Sequence, residues 1–594
     1  MPEQHLALMV AKQAKKYGAR TALRYRANGQ WHDISWQEVG ERVRAAAKGL
    51  LEMGIPEGGM VGIFSQNCPE WTLADFAILS IRGVSVPIYA TNTAKQAEYI
   101  VSEAEMAVIF VGGSDQYAKA ASLLGSSRHL QKIIVFDKSV SLAGNDQAMY
   151  FDDLIEMGRK PDQDRELDAR MKRADMNDLA TLIYTSGTTG EPKGVMLHHS
   201  NFYFSFQAHN KRLSVSDQDV SMCFLPLSHV FERAWTYFAL GTGMVVNYCD
   251  DTGKIVVYLQ EVKPTIMCAV PRFYEKIYGT IFEKLESAPP SKRNLFMWAV
   301  ELGNQVFRRT KEKQPLPWDL KLKYRIAEKL VLKKLRDVVG GRIRFFPCAG
   351  APLSQHIEEF FHAVGIPIKY GYGLTETTAT VTCHEEYHYR PGTVGKPIYG
   401  VDVKIAPNGE ILVRGETVMK GYYKKPEATA EVFEDHWFKT GDVGVLEDGY
   451  LTITDRIKDL MKTSGGKYIA PQLIETTIGK DHFIEQISII GDQRKYVSAL
   501  IVPAFEALEE YAKSRNIAYS SREELIAHPE IVQFFAERIE KNQQELAGFE
   551  KVKKFKLLAK QFTQEDGEMT PTMKLKRKVI NEKYHQVIDS MYEE

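Results

Sequence analysis

Cysteine is scarce in this chain. Only six of its 594 residues are cysteines, and no two of them stand in a C-x-x-C spacing. Disulfide-stapled domains and cysteine-based metal sites use more numerous or more closely spaced cysteines, so we expect neither. The pattern favours reduced, mostly buried thiols in a cytosolic enzyme. The six are Cys68, Cys223, Cys249, Cys268, Cys348 and Cys383.

Net charge is also absent. The 76 Lys and Arg residues are balanced by 76 Asp and Glu residues. A neutral chain offers no electrostatic case for binding nucleic acid or for bulk attraction to an anionic membrane. We therefore expect no nucleic-acid partner. Peripheral membrane contact stays an open alternative, because an apolar surface patch cannot be read from a sequence.

Long apolar runs are missing as well. The segment 234–249 is the longest charge-free apolar stretch of interest, but it contains Gly241, Gly243 and Asn247. It is shorter than the roughly 20 residues that span a bilayer, and it predicts a buried helix, a glycine turn and a strand. The N-terminus lacks the basic and apolar regions of a signal peptide. We expect a cytoplasmic protein, with a peripheral position at the inner face of the membrane as the alternative.

Length and residue pattern indicate the fold class. With 594 residues, 44% of them apolar, the chain exceeds what one hydrophobic core usually supports, so at least two domains are expected. Over the first 400 residues, short apolar runs alternate with longer helical patterns, which is typical of layered α/β structure. The runs 60–65, 107–111 and 132–136 predict strands, and 37–53 predicts a helix. The predicted fold class is therefore α/β.

Two later regions differ from this pattern. Residues 287–339 are rich in Lys, Arg, Leu and aromatics at helical spacing, which predicts a helical insertion. From about 400 to 454, short strands are joined by Asn-Gly and Asp-Gly, which predicts a β-rich subdomain. A compact α+β stretch follows. We predict a large N-terminal domain at 1–455 and a small mobile C-terminal domain at 456–594.

The most informative segment is Tyr184-Thr-Ser-Gly-Thr-Thr-Gly-Glu-Pro-Lys-Gly194. Its glycines allow positive φ, so backbone N–H groups can converge into an anion-binding nest, to which hydroxyls and a lysine add donors. A Walker A loop needs Gly-Lys-Ser/Thr, whereas here Pro192 precedes Lys193 and Gly194 follows it. We predict a phosphate loop that is not a P-loop, against the alternative of a flexible turn. Its candidate residues are Thr185, Ser186, Gly187, Thr188, Thr189, Gly190 and Lys193.

Two further segments contain residues suited to a nucleotide. In 370–377, glycines beside Tyr372 suit a slot in which adenine stacks on the ring while the backbone approaches it. Thr375 offers a hydroxyl to the α-phosphate, and Glu376 is a hard oxygen ligand suited to Mg²⁺. Asp442, in a Thr-Gly-Asp turn, can accept both ribose hydroxyls. Taken singly, each could also be a turn residue or a solvated carboxylate.

In this order, the motifs resemble those of the adenylate-forming superfamily, which includes acyl-CoA synthetases, peptide-synthetase adenylation domains and firefly-type luciferases. The resemblance covers nearly the whole chain and adds the segments 348–353, 455–471 and 568–577. It implies nucleotide contacts at Gly350, Ala351, Pro352, Gly373 and Arg456, of which Arg456 is the partner of Asp442, and it implies Mg²⁺ binding at Thr188 and Glu376. It also implies a hinge at Asp455 or Lys458 and a catalytic lysine at Lys574. The residues implied to line a CoA tunnel are Ser464, Gly465 and Gly466.

The run Phe224-Leu-Pro-Leu-Ser-His-Val-Phe-Glu-Arg233 favours a fatty acid as substrate. A lone histidine such as His229 is more often a satisfied core residue. The whole run, however, and 270–278 as well, resemble long-chain acyl-CoA synthetases, in which the matching histidine lies beside the acyl pocket. The resemblance implies acyl contacts at His229, with Arg233 or Trp235 as candidate gates.

The implied activity is that of a long-chain fatty acid–CoA ligase that uses ATP, Mg²⁺ and CoA and passes through an acyl-adenylate. Its implied catalytic residues are Lys574, Thr375, Glu376 and His229. Three alternatives stay open: an acyl-AMP ligase that loads a carrier protein or another acceptor, a luciferase-like oxygenase, and a non-catalytic nucleotide sensor. No feature of the sequence indicates an oligomeric state.

Overall fold

The chain folds into several sheets flanked by helices. The computed structural model describes residues 5–125, 127–142, 144–185, 191–385, 389–457, 459–544, 546–570 and 574–593. Predicted site residues Ser186, Gly187, Thr188, Thr189, Gly190 and Lys458 lie outside these ranges.

The strands follow the apolar runs of the sequence. They are, in chain order, β1 (Thr21–Ala27), β2 (Gln30–Ser35), β3 (Met60–Ser65), β4 (Val84–Tyr89), β5 (Val108–Val111), β6 (Lys132–Val135), β7 (Ala148–Tyr150), β8 (Leu179–Thr185), β9 (Lys193–His198), β10 (Val220–Cys223), β11 (Val245–Tyr248), β12 (Phe346–Cys348), β13 (Ile368–Tyr372), β14 (Thr382–Cys383), β15 (Lys396–Pro397), β16 (Val401–Ile405), β17 (Glu410–Gly415), β18 (Phe433–Glu434), β19 (Trp437–Glu447), β20 (Tyr450–Arg456), β21 (Met461–Lys462), β22 (Tyr468–Ile469), β23 (Ile484–Ile490), β24 (Val497–Pro503) and β25 (Val552–Leu557).

The α-helices alternate with these strands. They are α1 (Leu6–Tyr17), α2 (Trp36–Glu52), α3 (Pro69–Ser80), α4 (Ala94–Glu103), α5 (Ser114–Leu123), α6 (Phe151–Gly158), α7 (Asp164–Lys172), α8 (His199–Arg212), α9 (Val230–Thr242), α10 (Ile255–Val262), α11 (Pro271–Glu286), α12 (Pro290–Lys311), α13 (Trp318–Ala327), α14 (Lys333–Asp337), α15 (Gln355–Ala363), α16 (Pro426–Glu431), α17 (Pro471–Gly479), α18 (Phe505–Ser514), α19 (Arg522–Ala527), α20 (Pro529–Asn542), α21 (Arg577–Lys583) and α22 (His585–Ser590). Short 3-10 turns lie at Pro161–Gln163, Thr252–Lys254 and Thr375–Thr377, and a π-turn at Glu328–Leu332.

A seven-stranded sheet forms the first layered unit, in the order β7-β6-β5-β3-β4-β8-β9. The neighbours are parallel except β8 and β9, which form an antiparallel hairpin. A parallel strand is covered on both faces, so its residues read as a continuous apolar run. Every residue of β5 is accordingly buried. The strands expected at 60–65, 107–111 and 132–136 all belong to this sheet.

A second group of strands carries most of the site. One sheet runs β10-β11-β1-β2 and another β12-β13-β14-β15. Ile266 forms parallel bridges both to Ser221 in β10 and to Phe345 next to β12, so the two sheets lie side by side. Helix α9, the left-handed Gly243 and β11 make up the buried helix, turn and strand expected at 234–249.

The segment after residue 400 is β-rich. Its sheet has the order β16-β17-β19-β18, with β20 paired to β19. Asp448 and Gly449 both have positive φ, of 51° and 79°, which is the type I′ geometry that an Asp-Gly hairpin favours. The hairpin places Asp442 of β19 directly opposite Arg456 of β20.

The C-terminal part has its own hydrophobic core, which contains only residues between 461 and 591. Its sheet has the order β23-β24-β25. Two side-chain contacts join this C-terminal part to earlier segments of the chain. The Gln564 side chain donates to the Thr91 carbonyl at 3.0 Å, and Arg272 pairs with Glu485 at 2.7 Å. Layered α/β units followed by a smaller α+β part confirm the predicted fold class. Within the described residues, no helix is long and apolar enough to cross a bilayer.

Candidate active site

The phosphate-loop candidate connects two strands at the edge of the seven-stranded sheet. Thr185 ends β8 and pairs with Lys193, which begins β9. The hairpin register therefore brings the two ends of the loop together, with Thr185 and Lys193 side by side. Residues 186–190 between them lie outside the described residues, so their predicted phosphate contacts stay predictions.

Tyr422 links this loop to the candidate metal ligand. The ammonium of Lys193 lies 5.0 Å from the centre of the Tyr422 ring. The hydroxyl of Tyr422 donates to Glu376 Oε1 at 2.9 Å. Backbone pairing of Val195 with Tyr422 holds the two segments together. One tyrosine thus joins the lysine of the loop to the carboxylate of the next motif.

Glu376 and Thr375 lie on a 3-10 turn that begins three residues after the end of β13. Burial raises the pKa of the Glu376 carboxyl above its ordinary value. Among the described residues, no other residue donates a hydrogen bond to its Oε2 atom. Gly373 precedes the turn, and a Cβ there would lie 2.0 Å from the Ala379 carbonyl oxygen, so only glycine allows this close approach.

Tyr372, Asp442 and Arg456 form a connected network. The Tyr372 hydroxyl donates to Asp442 Oδ2 at 2.5 Å, and Arg456 Nε donates to Asp442 Oδ1 at 2.9 Å. Asp442 is 4% exposed, so its carboxylate is shielded from bulk water. The structure therefore brings together the three residues that the sequence placed in the adenine and ribose subsites.

The segment at 350–352 is positioned by a tyrosine. The Tyr370 hydroxyl donates to the Ala351 carbonyl at 3.0 Å and accepts from the Leu353 backbone N–H at 2.9 Å. Gly350 has a φ of 94°, in the left-handed region that favours glycine. Ala351 and Pro352 are exposed beside it.

A partly enclosed, mostly apolar cavity lies next to these motifs. It contains about 520 Å³ of unfilled space, including that at its opening to solvent. Part of its wall comes from α8 and α9, and part from the nucleotide motifs around β12 and β13. Its lining residues include Leu213, Phe231, Ala234, Trp235, Phe238, Cys348, Ala349, Gly371 and Tyr372.

Of the predicted acyl-site residues, Trp235 lines this cavity. Its indole N–H donates to Ser221 Oγ at 2.9 Å, so the ring is held in place at the wall. His229 caps the N-terminus of α9, where its Nδ1 accepts from the Phe231 N–H at 3.1 Å. Burial, and secondarily the charge of Lys574, lowers the pKa of His229 to about 4, so the ring is neutral at pH 7.

Arg233 does not belong to the cavity wall that the structure describes. Its fully buried guanidinium pairs with Asp75 of α3, with Nε 3.2 Å from Oδ2. It also donates to the Tyr237 hydroxyl at 2.9 Å and to Thr181 Oγ1 at 2.6 Å. These contacts join α9, α3 and β8, so Arg233 lies in the packing between elements, away from the position expected of a gate.

Lys574 faces the nucleotide motifs from the C-terminal part. Its backbone is held by Thr570, which accepts from the Lys574 N–H at 3.0 Å through its hydroxyl. The side chain keeps access to solvent, yet the surrounding protein removes enough hydration to lower its pKa to about 8. Arg456 lowers this pKa further, and Asp442 and Glu376 raise it. The lysine is therefore close enough to these groups to respond to their charges.

The proposed hinge and CoA loop follow one another along the chain, at the end of β20 and in the β21–β22 hairpin. Asp455 is the penultimate residue of β20, and burial raises its pKa to about 6. Its Oδ1 accepts from the Arg456 N–H at 2.6 Å, and its Oδ2 is buried with no partner among the described residues. Ser464, Gly465 and Gly466 form the exposed tip of the β21–β22 hairpin, where Gly466 has a φ of 78°. Ser464 donates its N–H to the Arg494 carbonyl at 3.0 Å.

Two residues of this site were not predicted from the sequence. Tyr422 contacts Glu376, and Tyr370 holds the segment at 350–352. Tyr370 belongs to the motif 370–377, so its place in that motif is a sequence signal that could identify it as a site residue. Tyr422 lies in Gly-Tyr-Tyr423, where nothing in the local pattern separates it from an ordinary packed aromatic.

Comparisons with known proteins place these motifs in a family context. Residues 10–423 match the family model described as AMP-binding enzyme, and residues 458–594 match the one described as AMP-binding enzyme C-terminal domain. The chain is 36% identical over 571 residues to the long-chain-fatty-acid–CoA ligase FadD15 of Mycobacterium bovis, which covers 95% of this chain and 93% of that protein. It is 32% identical over 601 residues to the peroxisomal long chain acyl-CoA synthetase 6 of Arabidopsis thaliana. That alignment covers 96% of this chain and 83% of the Arabidopsis protein.

Solved structures share the fold. The adenylation domain of the carboxylate reductase from Mycobacterium chelonae superposes with a TM-score of 0.77 at 23% identity, over 99% of this chain and 91% of that one. A second match is the A domain of carboxylic acid reductase from Segniliparus rugosus, in complex with AMP and a co-purified carboxylic acid. It superposes with a TM-score of 0.76 at 22% identity, over 99% of this chain and 94% of that one.

Proposed function

This chain belongs to the AMP-binding enzyme family, and from that premise we propose that it is a long-chain fatty acid–CoA ligase. It would convert ATP, a fatty acid and CoA into acyl-CoA, AMP and pyrophosphate through an acyl-adenylate. The names of its relatives from Mycobacterium and Arabidopsis support the long-chain acid as substrate. A cytoplasmic location is part of this proposal.

One observation carries the proposal: the apolar cavity shares its wall with the nucleotide motifs. Cys348 and Ala349 lead into Gly350, and Gly371 and Tyr372 lead into Gly373. An alkyl chain bound in the cavity would thus have its carboxylate next to the groups assigned to ATP. A mostly apolar site with a few polar groups in its lining suits an amphipathic acid.

In the first half-reaction, a carboxylate oxygen of the acid attacks the α-phosphorus of ATP. The bond from that phosphorus to the bridging oxygen breaks, and pyrophosphate leaves. The loop 185–194 would hold the β- and γ-phosphates, and Asp442 the ribose. Lys574 would place its ammonium where charge develops on the α-phosphate, and such positioning and electrostatics dominate phosphoryl-type transfers.

Glu376 fits the magnesium ion that accompanies ATP. Tyr422 links its carboxylate to Lys193 at the end of the phosphate loop, and among the described residues the Tyr422 hydroxyl occupies only Oε1, which leaves Oε2 for a ligand. Magnesium prefers oxygen ligands and is bound through one or two carboxylates together with substrate phosphates, where it neutralises phosphate charge. Glu376 and Thr188 would be the residues of this chain that hold it.

In the second half-reaction, the CoA thiol sulfur attacks the acyl carbon, the bond to AMP breaks, and the thiol proton passes to solvent. The exposed Ser464–Gly466 tip lies on the same C-terminal part as Lys574, so a rotation of that part about Asp455 or Lys458 would withdraw Lys574 and bring this loop to the site. The separate C-terminal core supports such a rigid-body movement, and it also supports our proposed domain division at residues 455 and 456.

The test is release of AMP and pyrophosphate from Mg·ATP with fatty acids of graded chain length, with and without CoA. Sustained AMP release that needs both a long-chain acid and CoA is the expected result. Pyrophosphate exchange that ignores CoA would leave the adenylation step intact and assign another acceptor, such as a carrier protein. ATP binding without pyrophosphate release would overturn the proposal.

A further inference from the structure

The helical segment 290–337 has a strong positive charge, although the whole chain is neutral. It contains thirteen Lys and Arg residues and only five Asp and Glu residues, a net charge of +8. Charge concentrated in this way on one surface segment attracts an anionic partner and is invisible in the net charge of the chain.

The second half of this segment is one continuous helix, since α13, the π-turn Glu328–Leu332 and α14 follow one another with helical dihedral angles. Its outer face presents large apolar side chains to solvent at four-residue spacing. Trp318 is 79% exposed, Leu322 54%, Ile326 47% and Leu330 43%. Residues four apart are neighbours on a helix, so these four side chains form one apolar stripe.

A basic stripe runs beside the apolar one. Lys321, Arg325, Lys329 and Lys333 are all exposed and repeat at the same four-residue spacing, and the first three each directly precede a residue of the apolar stripe. Lys333 pairs with Asp337. Within the described part of the chain, Lys321, Arg325 and Lys329 have no ion pair. Three uncompensated cations thus flank a solvent-exposed apolar row.

We propose that this face of the helix, Trp318 to Lys333, docks on an anionic phospholipid surface, lying in the plane of the membrane interface. A helix of about 20 residues is about 30 Å long, and an apolar row with a row of cations beside it is the pattern of an interfacial helix. The apolar side chains would enter the acyl boundary, the cations would reach lipid phosphates, and Trp318 suits the interface.

The choice of lipid over protein rests on charge complementarity and, in part, on the proposed function. The acid that the proposed ligase uses dissolves in bilayers, so an enzyme held at that surface meets its substrate there. A protein partner or a second copy of this chain would instead need a complementary acidic and apolar face.

The experiment is co-sedimentation of the full chain with large vesicles of phosphatidylcholine, alone or with about 30 mol % phosphatidylglycerol. It is done without ATP, fatty acid or CoA, so its result does not depend on whether the proposed ligase activity is correct. We expect binding to vesicles that contain phosphatidylglycerol, weaker binding at about 0.5 M salt, and little binding to phosphatidylcholine alone.

Two matched pairs of variants locate the binding face. K321Q/R325Q/K329Q should weaken binding about 100-fold, whereas K513Q/K541Q/K553Q, at exposed lysines of the C-terminal part, should leave it unchanged. L322S/I326S should abolish binding, whereas V257S/V532S, at exposed valines elsewhere, should not. Brominated lipid should quench the fluorescence of the chain, and Trp318→Phe should remove most of that quenching.

Three outcomes would overturn the proposal. They are no binding to vesicles that contain phosphatidylglycerol, equal loss of binding in both members of a variant pair, and self-association in the absence of lipid that L322S/I326S abolishes. The last outcome, seen by sedimentation velocity, would assign the face to a second copy of the chain.

Discussion

The hydroxyl of Tyr372 donates a 2.5 Å hydrogen bond to Asp442, across 70 residues of sequence. Arg456 holds the other carboxylate oxygen, so the orientation of Asp442 is determined before any ligand binds. A preorganised carboxylate loses less freedom on binding than a mobile one, which favours affinity.

Tyr372→Phe should therefore weaken ATP binding by about tenfold, because a hydrogen bond to a charged group contributes roughly 1.5–3 kcal/mol. Equilibrium binding of ATP measures the effect. Tyr399→Phe, at an exposed tyrosine, is the control. Unchanged affinity in Tyr372→Phe would mean that Arg456 alone orients Asp442.

Lys574→Ala should separate the two half-reactions. Loss of a group that stabilises developing charge slows the adenylation step by about 10²–10³-fold. Transfer of the acyl group from synthetic acyl-AMP to CoA should stay within about twofold of the original rate, since the lysine has no role there. Single-turnover pyrophosphate release and thioester formation measure the two steps. Lys578→Ala, at an exposed lysine of α21, is the control, and equal loss in both steps would contradict this division.

The adenylation rate should fall as the pH rises through about 8. The pKa of Lys574 is lowered to about 8, so its ammonium form is present at pH 7 and is lost above pH 8. Above that value the single-turnover rate should fall roughly tenfold per pH unit. Lys574→Arg keeps a positive charge throughout, so its rate, whatever its size, should not fall in this range. The same fall in both proteins would assign the titration to another group.

Arg233→Met should destabilise the fold. Removal of one member of a buried pair leaves Asp75 charged and unpaired, at a cost of about 3–5 kcal/mol in the free energy of unfolding. The double variant Asp75→Leu/Arg233→Met removes both charges and should recover most of that loss. Urea denaturation measures both. If Arg233→Met instead changes the preferred acyl chain length at full stability, the residue acts on the acyl site.

The protein should lose stability as the pH falls from about 6.5 to about 4. His5 stacks on His199 at 3.4 Å between ring centres, and each accepts a backbone hydrogen bond through Nδ1. Burial, outweighing the attraction of Asp178, lowers the pKa of His5 to about 4. The unfolded chain therefore takes up the proton first, and His5 alone contributes a loss of about 2 kcal/mol between pH 7 and pH 5.

His5→Asn keeps a helix-capping side chain but does not titrate. Its free energy of unfolding should depend less on pH over this range, by about 2 kcal/mol. Urea denaturation at pH 7 and pH 5 measures the difference. An unchanged dependence would mean that other buried groups account for the acid sensitivity.

Local sequence determined which segments of this protein carry strands, turns and chemistry. The Asp448-Gly449 hairpin followed from the φ that this pair favours, and β5 followed from its unbroken apolar run. The order of the motifs was sufficient to indicate an adenylate-forming fold. For the hairpin and the strand the signal is local, because backbone preference and burial periodicity act over a few residues, whereas the adenylate-forming fold was indicated by the resemblance of the motifs to a known family.

Only the tertiary structure decided which side chains meet. Tyr422 reaches Glu376, and Arg233 turns to Asp75 rather than to the cavity, because packing joins segments 46 and 158 residues apart. The exposure of Leu322 and Ile326 was equally hidden, since an apolar residue at helical spacing ordinarily faces a core. Spacing along a helix gives the angle between side chains, but the neighbouring elements determine which angle faces solvent.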